Sequence, residues 1–293
     1  IALALAVGRE IIHAGLVNTT FVERATSGFA EYVASAEEWT LERAEAVTGV
    51  AADDIAALAH AYGRADRAQL CWTLGITEHH NGVDNVVSLI NLALLTGHVG
   101  RAGSGLSPLR GQNNVQGGGD MGALPDRLPG FQHVEVDAYR EKFERVWGAK
   151  IPPQRGWTLT QMFEAMGRNA LRALYVIGEN PLQSEADQHH ARRMLEGLDF
   201  IIAQDIFLTK TAELAHVVLP AAAAGEKDGS TTNIEGRTTR VAQKVTVHGT
   251  ARPDWMIAGE LARRLGKDLG LGSVGDVTQA IADLGRVPNT VRP

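Results

Sequence analysis

The sequence predicts an α/β protein with two doubly wound, largely parallel-sheet parts and helices on both faces of each sheet. From residue 158 onward, short apolar runs alternate with segments of helical periodicity, which is the pattern of parallel strands joined by helices. Upstream, the apolar run at residues 69–76 precedes a segment, 83–96, that is apolar nearly all round. The sequence therefore predicts a buried strand followed by a core helix in the first half as well.

The elements of the first half follow from periodicity and from turn residues. Residues 1–67 have helical spacing of apolar side chains, with helices expected at 37–47 and 52–62. Eight of the residues in 100–122 are glycine, and neither a helical nor a strand period survives there. A loop of this length inside a compact domain is usually functional or disordered. We therefore expect a functional loop at 100–122.

The second half begins with an irregular stretch at 124–157 that contains one helix near 137–147. The alternating pattern then predicts helix 159–168, strand 172–177, helix 186–196, strand 199–204, a short helix near 210–214, strand 216–219, strand 240–247 and helix 254–265.

We expect four regions along the chain. They are an α/β part at 1–112, a second, nucleotide-cradling α/β domain at 113–224, a polar strand-containing segment at 225–253 and a helical region at 254–293. The chain starts inside a helical pattern and ends in a linker-like stretch, so we expect it to be an internal piece of a longer protein.

Composition excludes several classes of protein. Hydrophobic residues make up 44% and charged residues 21% of the 293 residues, which excludes a disordered chain or a coiled coil. The net charge of −6 argues against a nucleic-acid partner. One cysteine, Cys71, excludes a disulfide framework or a multi-thiolate metal site in this sequence. The apolar start is too short for a signal peptide or a membrane span, so a cytoplasmic protein is expected.

Three predicted strand ends carry small or amide-bearing residues. They read Gly178-Glu179-Asn180-Pro181, Gln204-Asp205 and Leu219-Pro220-Ala221. In a parallel sheet such ends meet at one edge, where ligands bind, and these residue types suit a nucleotide. The alternative is that Gly-Glu-Asn-Pro is a plain turn, because glycine, asparagine and proline form turns.

The glycine-rich loop holds a second candidate, Arg110. Its guanidinium offers a rigid fork of donors that matches a carboxylate or a phosphate, and the neighbouring Gln112 offers an amide. The alternative is a solvated loop whose arginine faces water.

Other chemistry finds no support in the sequence. The pairs His79-His80 and His189-His190 are adjacent in sequence, and adjacent side chains do not share a helix face, so no metal site is predicted. None of the three predicted strand ends carries a G-x-G-x-x-G fingerprint, and the sequence contains no P-loop lysine motif and no G-x-S-x-G elbow.

Four blocks carry a family resemblance. They are GITEHHNGVDNVVSLINLALLTGHVGRAGSGLSPLRGQNNVQGGGDMGALPD at 75–126, ALYVIGENPLQSEAD at 173–187, QDIFLTKTAELAHVVLPAAAAGEKDGSTTNIEGRTTRV at 204–241 and ARPDW at 251–255. In order and spacing they resemble the molybdopterin-dependent formate dehydrogenases of the DMSO-reductase superfamily. The element LRGQNNVQG points to formate, whereas the later blocks are shared with nitrate reductases and other members.

The resemblance implies a middle piece of a catalytic subunit. Such a subunit would oxidise formate to carbon dioxide at a bis-molybdopterin guanine dinucleotide centre that holds molybdenum or tungsten. A 4Fe-4S cluster in an N-terminal region absent from this sequence would accept the electrons, and electron-transfer subunits are the expected partners. The molybdenum-ligating Cys or selenocysteine and the C-terminal domain are also absent, so this segment alone is expected to be inactive.

The resemblance also assigns roles to residues that match the motifs of the family. Arg110 matches the arginine that would hold the formate carboxylate. The positions that match cofactor contacts are Leu74, Glu78, Gln112, Gly178, Glu179, Asn180, Ser184, Gln204, Asp205, Thr209, Ala221 and Asp254.

Two alternatives stay open at this point. One is another molybdopterin oxidoreductase that acts on an oxyanion, similar to nitrate reductase. The other is a non-catalytic nucleotide-binding module, which would hold if the flanking domains are absent from the protein.

Overall fold

The protein is a mixed α/β molecule with parallel sheets, as the sequence predicts. The computed structural model describes residues 1–284 and divides into two compact units, Ile1–Gln112 (unit 1) and the residues from Asn113 on (unit 2). The predicted boundaries at 112, 224 and 253 stay predictions. Residues 285–293 of the predicted helical region lie outside the described residues.

Unit 1 is mainly helical. Its elements are α1 (Ala2–His13), α2 (Thr19–Ala25), α3 (Phe29–Glu37), α4 (Leu41–Thr48), α5 (Ala52–Arg64), β1 (Gln69–Trp72), α6 (Leu74–Thr77), α7 (Gly82–Thr96) and β2 (Gly105–Pro108). Helix α1 packs against α3, α4, α5 and α7, and its Val7 and Ile11 are buried beside Ile55 and Leu95. These apolar side chains form the core of the unit.

Unit 2 contains the rest of the described chain. Its elements are α8 (Val115–Asp120), β3 (Arg127–Leu128), β4 (Gln132–His133), α9 (Asp137–Trp147), α10 (Leu159–Gly167), β5 (Ala173–Ile177), α11 (Pro181–Ser184), α12 (Gln188–Glu196), β6 (Phe200–Asp205), α13 (Lys210–Leu214), β7 (Val217–Pro220), β8 (Gly229–Thr232), β9 (Thr238–Val241), α14 (Asp254–Arg264) and α15 (Val274–Leu284).

The sheet of unit 2 is parallel, with strand order β5-β6-β7. Ile177 of β5 pairs with Gln204 of β6, and Gln204 pairs with Leu219 of β7, so the three carboxyl ends lie at one edge. The inner face packs on a core that includes Phe163, Leu195 and Ile201. This register brings the three predicted strand tips together.

A later segment extends the sheet beside β7. Ala221 forms a parallel bridge with Arg252; Arg252 N–H donates to the Pro220 carbonyl at 3.1 Å, and Ala222 N–H donates to the Arg252 carbonyl at 2.9 Å. Helix α14 begins two residues later at Asp254. The bridge therefore carries the start of α14 to the carboxyl edge of the sheet.

Two antiparallel hairpins complete unit 2. Strands β3 and β4 pair beside α9, whose Phe143 is fully buried with Leu128 and Leu284. Strands β8 and β9 pair through Thr231–Thr239 and neighbouring residues.

The structure corrects three details of unit 1. The predicted strand 69–76 ends at Trp72, because the chain turns into α6 at Leu74. The predicted helix 37–47 is wrong in its start: α3 ends at Glu37, and the helix begins at Leu41, where Thr40 caps it by accepting a hydrogen bond from Arg43 N–H at 3.2 Å. Residues 105–108, predicted as part of a glycine-rich loop, form strand β2, which pairs with β1.

Two further corrections concern unit 2. The glycine-rich stretch also forms helix α8 at Val115–Asp120, where no helical period is visible. The strand predicted at 240–247 is wrong in its bounds: β9 covers Thr238–Val241, because its partner β8 is only four residues long.

Candidate functional site

The carboxyl edge of the unit 2 sheet is the first candidate site. Gly178 follows β5; its N–H donates to the Gln204 carbonyl at 2.8 Å, and its φ of +63° lies in the left-handed region. No heavy atom lies within 4 Å of the point where a Cβ would stand. The turn therefore leaves the backbone open to an incoming group.

Glu179 stands exposed at the same tip. One of its oxygens, Oε1, accepts hydrogen bonds from Asn180 N–H at 2.9 Å and from the Ser184 hydroxyl at 2.7 Å. Burial and the negative charge of Glu179 together raise the pKa of Glu185. The Glu179 carboxylate is thus fixed in place, and its Oε2 has no partner among residues 1–284.

Asn180 is committed to holding the fold. Its Oδ1 accepts hydrogen bonds from Thr211 N–H at 3.2 Å and from the Thr211 hydroxyl at 2.7 Å, while its Nδ2 donates to Gln183. Thr211 is fully buried, and its Oγ1 also accepts from Leu182 N–H at 3.2 Å. The Asn180 side chain therefore ties the end of β5 to helix α13.

Gln204, at the end of β6, is buried and belongs to a network of polar side chains. Its side chain is 2% exposed and accepts a hydrogen bond from the Tyr175 hydroxyl. Its Nε2 donates to Asp254 Oδ1 at 2.7 Å, and Lys227 Nζ contacts Asp254 Oδ2. Burial, and to a lesser extent the charge of Asp254, raises the pKa of Tyr175. Four side chains from four segments thus meet at this edge.

Asp205 shapes the loop that follows β6. Its Oδ1 accepts hydrogen bonds from Ile206 N–H at 2.6 Å and from Phe207 N–H at 3.4 Å, and Phe207 itself is 73% exposed. Thr209 caps α13 by accepting from Ala212 N–H at 3.2 Å. Ala221 is buried at the third tip, where its N–H donates to the Asp205 carbonyl at 3.0 Å.

Unit 1 has a second carboxyl edge, formed by β1 and β2. Trp72 pairs with Pro108, and Leu109 N–H donates to the Trp72 carbonyl at 2.7 Å, so the chain leaves both strands side by side. Leu74 follows β1, and its Cδ1 lies 3.2 Å from where a Cβ on Gly111 would stand. This contact brings the residues after β1 against the loop that carries Arg110.

Arg110 is exposed on that loop. Its guanidinium has no hydrogen bond or ion pair within residues 1–284, although most arginines near it in sequence, such as Arg101 and Arg127, are engaged. Glu78 and Gln112 are also exposed, and Glu78 ends α6 with its N–H donating to the Leu74 carbonyl at 2.9 Å. The edge thus presents one free cation, one carboxylate and one amide to an incoming ligand.

The predicted residues therefore fall into two kinds. One kind has a carboxylate that is at least partly exposed: Glu179, Asp205 and Asp254. The other kind, Asn180 and Gln204, has amide side chains that are hydrogen-bonded to other residues of the protein. The sequence reasoning missed Tyr175, Lys227 and Thr211. A lysine set among small and polar residues at 225–232 is the only sequence signal that could have pointed to Lys227.

Two features are absent from the described residues. No cluster of three or more His, Cys, Asp or Glu side chains in residues 1–284 has the arrangement of a metal site. None of the helices in that range is both long and apolar enough to cross a membrane.

Comparison with known proteins gives consistent matches. A sequence profile described as "Molybdopterin oxidoreductase" matches residues 1–264. The F420-dependent formate dehydrogenase subunit alpha of Methanocaldococcus jannaschii is 44% identical over 91% of this chain and 39% of its own length. Formate dehydrogenase H of Escherichia coli is 41% identical over 91% of this chain and 37% of its own length.

A solved structure has the same fold. Acetylene hydratase from Pelobacter acetylenicus superposes with a TM-score of 0.66 at 24% identity, over 90% of this chain and 39% of its own. The chain thus spans less than two fifths of the length of these relatives.

Proposed function

Because the chain belongs to the molybdopterin oxidoreductase family, we propose that it is the cofactor-holding part of a formate dehydrogenase catalytic subunit. The whole subunit would oxidise formate to carbon dioxide. The names of the relatives above support formate over another oxyanion as the substrate.

The observation that carries the proposal is the free guanidinium of Arg110. A planar fork of donors binds a carboxylate through two parallel hydrogen bonds, and formate is the smallest carboxylate. Because Arg110 is exposed and no acidic residue among 1–284 neutralises it, its charge is available to an anionic substrate. Arg110 would orient formate and balance its negative charge.

The accessible groups fit a bis-molybdopterin guanine dinucleotide. The carboxylates of Glu179, Asp205 and Asp254 accept hydrogen bonds, as the hydroxyl and N–H groups of a nucleotide require. The open turn at Gly178 would admit close approach of the cofactor. When bound, this group would supply molybdenum or tungsten chemistry that removes two electrons from the substrate.

The other proposed contacts act in different ways. In unit 1, Gln112 would contact a pterin and Leu74 and Glu78 would contact the pterin-guanine ligand, since all three are exposed. In unit 2, Ser184 fixes the Glu179 carboxylate, and Thr209 and Ala221 hold the backbone of the strand tips. Asn180 and Gln204 would act through the neighbours that they hold.

The proposal extends to electron transfer and location. A 4Fe-4S cluster held by residues outside this sequence would take the electrons and pass them to partner subunits. A cytoplasmic location is part of the proposal, and fractionation with an antibody to this segment tests it.

The decisive experiment uses the full-length subunit. We expect about one molybdenum or tungsten per chain, guanine nucleotide released by acid hydrolysis, and reduction of a viologen dye by formate. If the metal-loaded protein does not oxidise formate but reduces nitrate, a function similar to that of nitrate reductase would replace the proposal. A full-length protein with neither metal nor guanine nucleotide would refute the proposal, and one with nucleotide but no metal would favour the non-catalytic nucleotide-binding module.

A further inference from the structure

The carboxylate of Asp254 is held from two sides. Gln204 Nε2 donates to Oδ1 at 2.7 Å, and Lys227 Nζ contacts Oδ2. The three residues come from β6, from the start of α14 and from the segment between β7 and β8. Their meeting is therefore a tertiary feature of unit 2 and not a local turn.

The hydrogen bonds run in one direction. An ionised carboxylate can only accept, so the Gln204 amide must turn its nitrogen toward Asp254 and its oxygen toward Tyr175. The Tyr175 hydroxyl must then donate. A phenol of ordinary pKa, about 10, keeps its proton at neutral pH and can do so, and burial and the charge of Asp254 raise the pKa of Tyr175 further.

This arrangement leaves acceptor capacity on Asp254. A carboxylate has about four lone-pair sites, and the two contacts use one on each oxygen. The Asp254 side chain is 42% exposed, so the remaining sites can be reached from outside. The result is a pair of acceptors in a fixed plane.

The Lys227–Asp254 pair contributes little to stability by itself. Its side chains are 30% and 42% exposed, and ion pairs accessible to water contribute at most about 1 kcal/mol. A fixed orientation of the carboxylate is a better account of this contact than folding energy.

We propose that Lys227 and Tyr175 are positioning residues that fix the Asp254 carboxylate as a two-acceptor site for the N–H groups of a guanine base. Guanine presents two adjacent donors, a ring N–H and an amino group, whereas adenine presents a ring acceptor beside its amino group. The orientation that Lys227 and Tyr175 impose would therefore favour guanine. The inference rests on the proposed function, which requires a guanine nucleotide.

The test measures binding of GDP and ADP to the cofactor-free full-length subunit. The variants are Lys227→Met, Lys227→Arg and Tyr175→Phe, and Lys244→Met is the matched control. Lys244 is an exposed lysine of the same polar segment with no ion pair among residues 1–284. Titration calorimetry gives both affinities, and circular dichroism checks that each variant is folded.

We expect wild type to prefer GDP. Lys227→Met should lower GDP affinity about tenfold, since hydrogen bonds to charged groups are worth about one such factor, and should leave ADP affinity unchanged. Lys227→Arg should keep most of the wild-type preference for GDP over ADP. Tyr175→Phe should lower this preference by a few fold, because the Gln204 side-chain oxygen loses the hydroxyl that donates to it. Lys244→Met should match wild type.

Two results would overturn the inference. One is an unchanged ratio of GDP affinity to ADP affinity in Lys227→Met. An equal loss of affinity for both nucleotides also leaves this ratio unchanged, and it would mean that Lys227 binds phosphate directly. The other is a wild type without preference for GDP. If Lys227→Met does not fold, Tyr175→Phe and Lys227→Arg decide by the same ratio.

The proposed function fails separately. Native full-length protein that releases no guanine nucleotide on acid hydrolysis would refute the proposed function. Protein that releases it, with variants that keep the wild-type GDP-to-ADP ratio, would refute only the role of Lys227 and Tyr175.

Discussion

Thr211 donates two hydrogen bonds to one atom, Asn180 Oδ1, from its backbone N–H at 3.2 Å and from its hydroxyl at 2.7 Å. The pair joins the tip of β5 to helix α13 across 31 residues of sequence. Thr211 is fully buried, so its hydroxyl depends on Asn180 and not on water for an acceptor.

Replacing Thr211 with valine should destabilise the protein. The change keeps the shape of the side chain but removes the hydroxyl, which leaves Asn180 Oδ1 with one donor and Leu182 N–H without an acceptor. We expect the free energy of unfolding to fall by about 1–3 kcal/mol. Urea denaturation followed by circular dichroism measures it.

Thr278→Val is the matched control, because Thr278 is exposed and bonds only to the backbone of its own helix. It should stay within about 0.5 kcal/mol of wild type. Equal effects of the two substitutions would show that the Asn180 contact contributes nothing special.

Gly82→Ala should disturb the junction between α6 and α7. A Cβ there would stand 2.2 Å from the Thr77 carbonyl oxygen, and a backbone atom cannot move aside as a side chain can. We expect a loss of about 1–3 kcal/mol, read as a lower midpoint in thermal unfolding.

Gly75→Ala provides the comparison, since nothing lies within 4 Å of the added methyl group. It should be neutral or slightly stabilising, because alanine favours a helix over glycine. A harmless Gly82→Ala variant would show that α6 can shift away from α7 without cost.

Arg110→Ala in the full-length enzyme should abolish formate oxidation while metal loading survives. Removing one hydrogen-bond donor that stabilises the charge of the reacting group costs about two to three orders of magnitude in rate. Arg155→Ala, at another exposed arginine without an ion pair among residues 1–284, should retain wild-type turnover. Undiminished activity in Arg110→Ala, or loss of the metal, would remove Arg110 from the substrate site.

Acid should weaken the contact between α1 and α3. Glu37 accepts from Arg9 at 2.7 Å and contacts His13 at 2.8 Å, and these partners, His13 foremost, lower the pKa of its carboxyl below the ordinary 4.5. A pKa lowered by folding means that the unfolded chain binds more protons in the window below 4.5. The contribution of Glu37 to the free energy of unfolding is therefore complete above pH 4.5, and it is lost as the pH falls through the lowered pKa.

Glu37→Gln isolates this effect. At neutral pH the variant should unfold at a lower temperature than wild type, and the two midpoints should converge as the pH drops below 4.5. Thermal scans between pH 3 and pH 7 measure the difference. A difference between the two midpoints that stays constant over this range would show that the charge of Glu37 does not stabilise the contact between α1 and α3.

The strand tips of unit 2 could be predicted because local signals and topology agree there. Gly178 and Pro181 mark a turn, and parallel pairing forces Gln204 and Ala221 to the same edge. Lys227 could not be predicted as a neighbour of Asp254. The two are 27 residues apart, and their contact exists only because Arg252 pairs beside β7.

In the first half of the chain, the length of β1 could not be predicted from the sequence. Apolar side chains at Leu74 and Ile76 continue the pattern of β1, yet the chain turns into α6, because β2 offers a ladder only as far as Pro108. The sequence predicts that this strand is buried, yet Cys71 within it is exposed. Strand length here depends on the partner, and the partner lies in a glycine-rich stretch where periodicity gives no signal.

The bridge between Ala221 and Arg252 has a consequence for the order of assembly. During synthesis all three strands of the unit 2 sheet are complete once residue 220 has left the ribosome, but Asp254 is still to come. The intervening 225–253 stretch must fold back before the carboxylate joins Gln204 and Lys227. Contacts across such a separation form late, because the chain between them must first be ordered. The three-stranded sheet of unit 2 can thus become compact before the Asp254 carboxylate reaches its carboxyl edge.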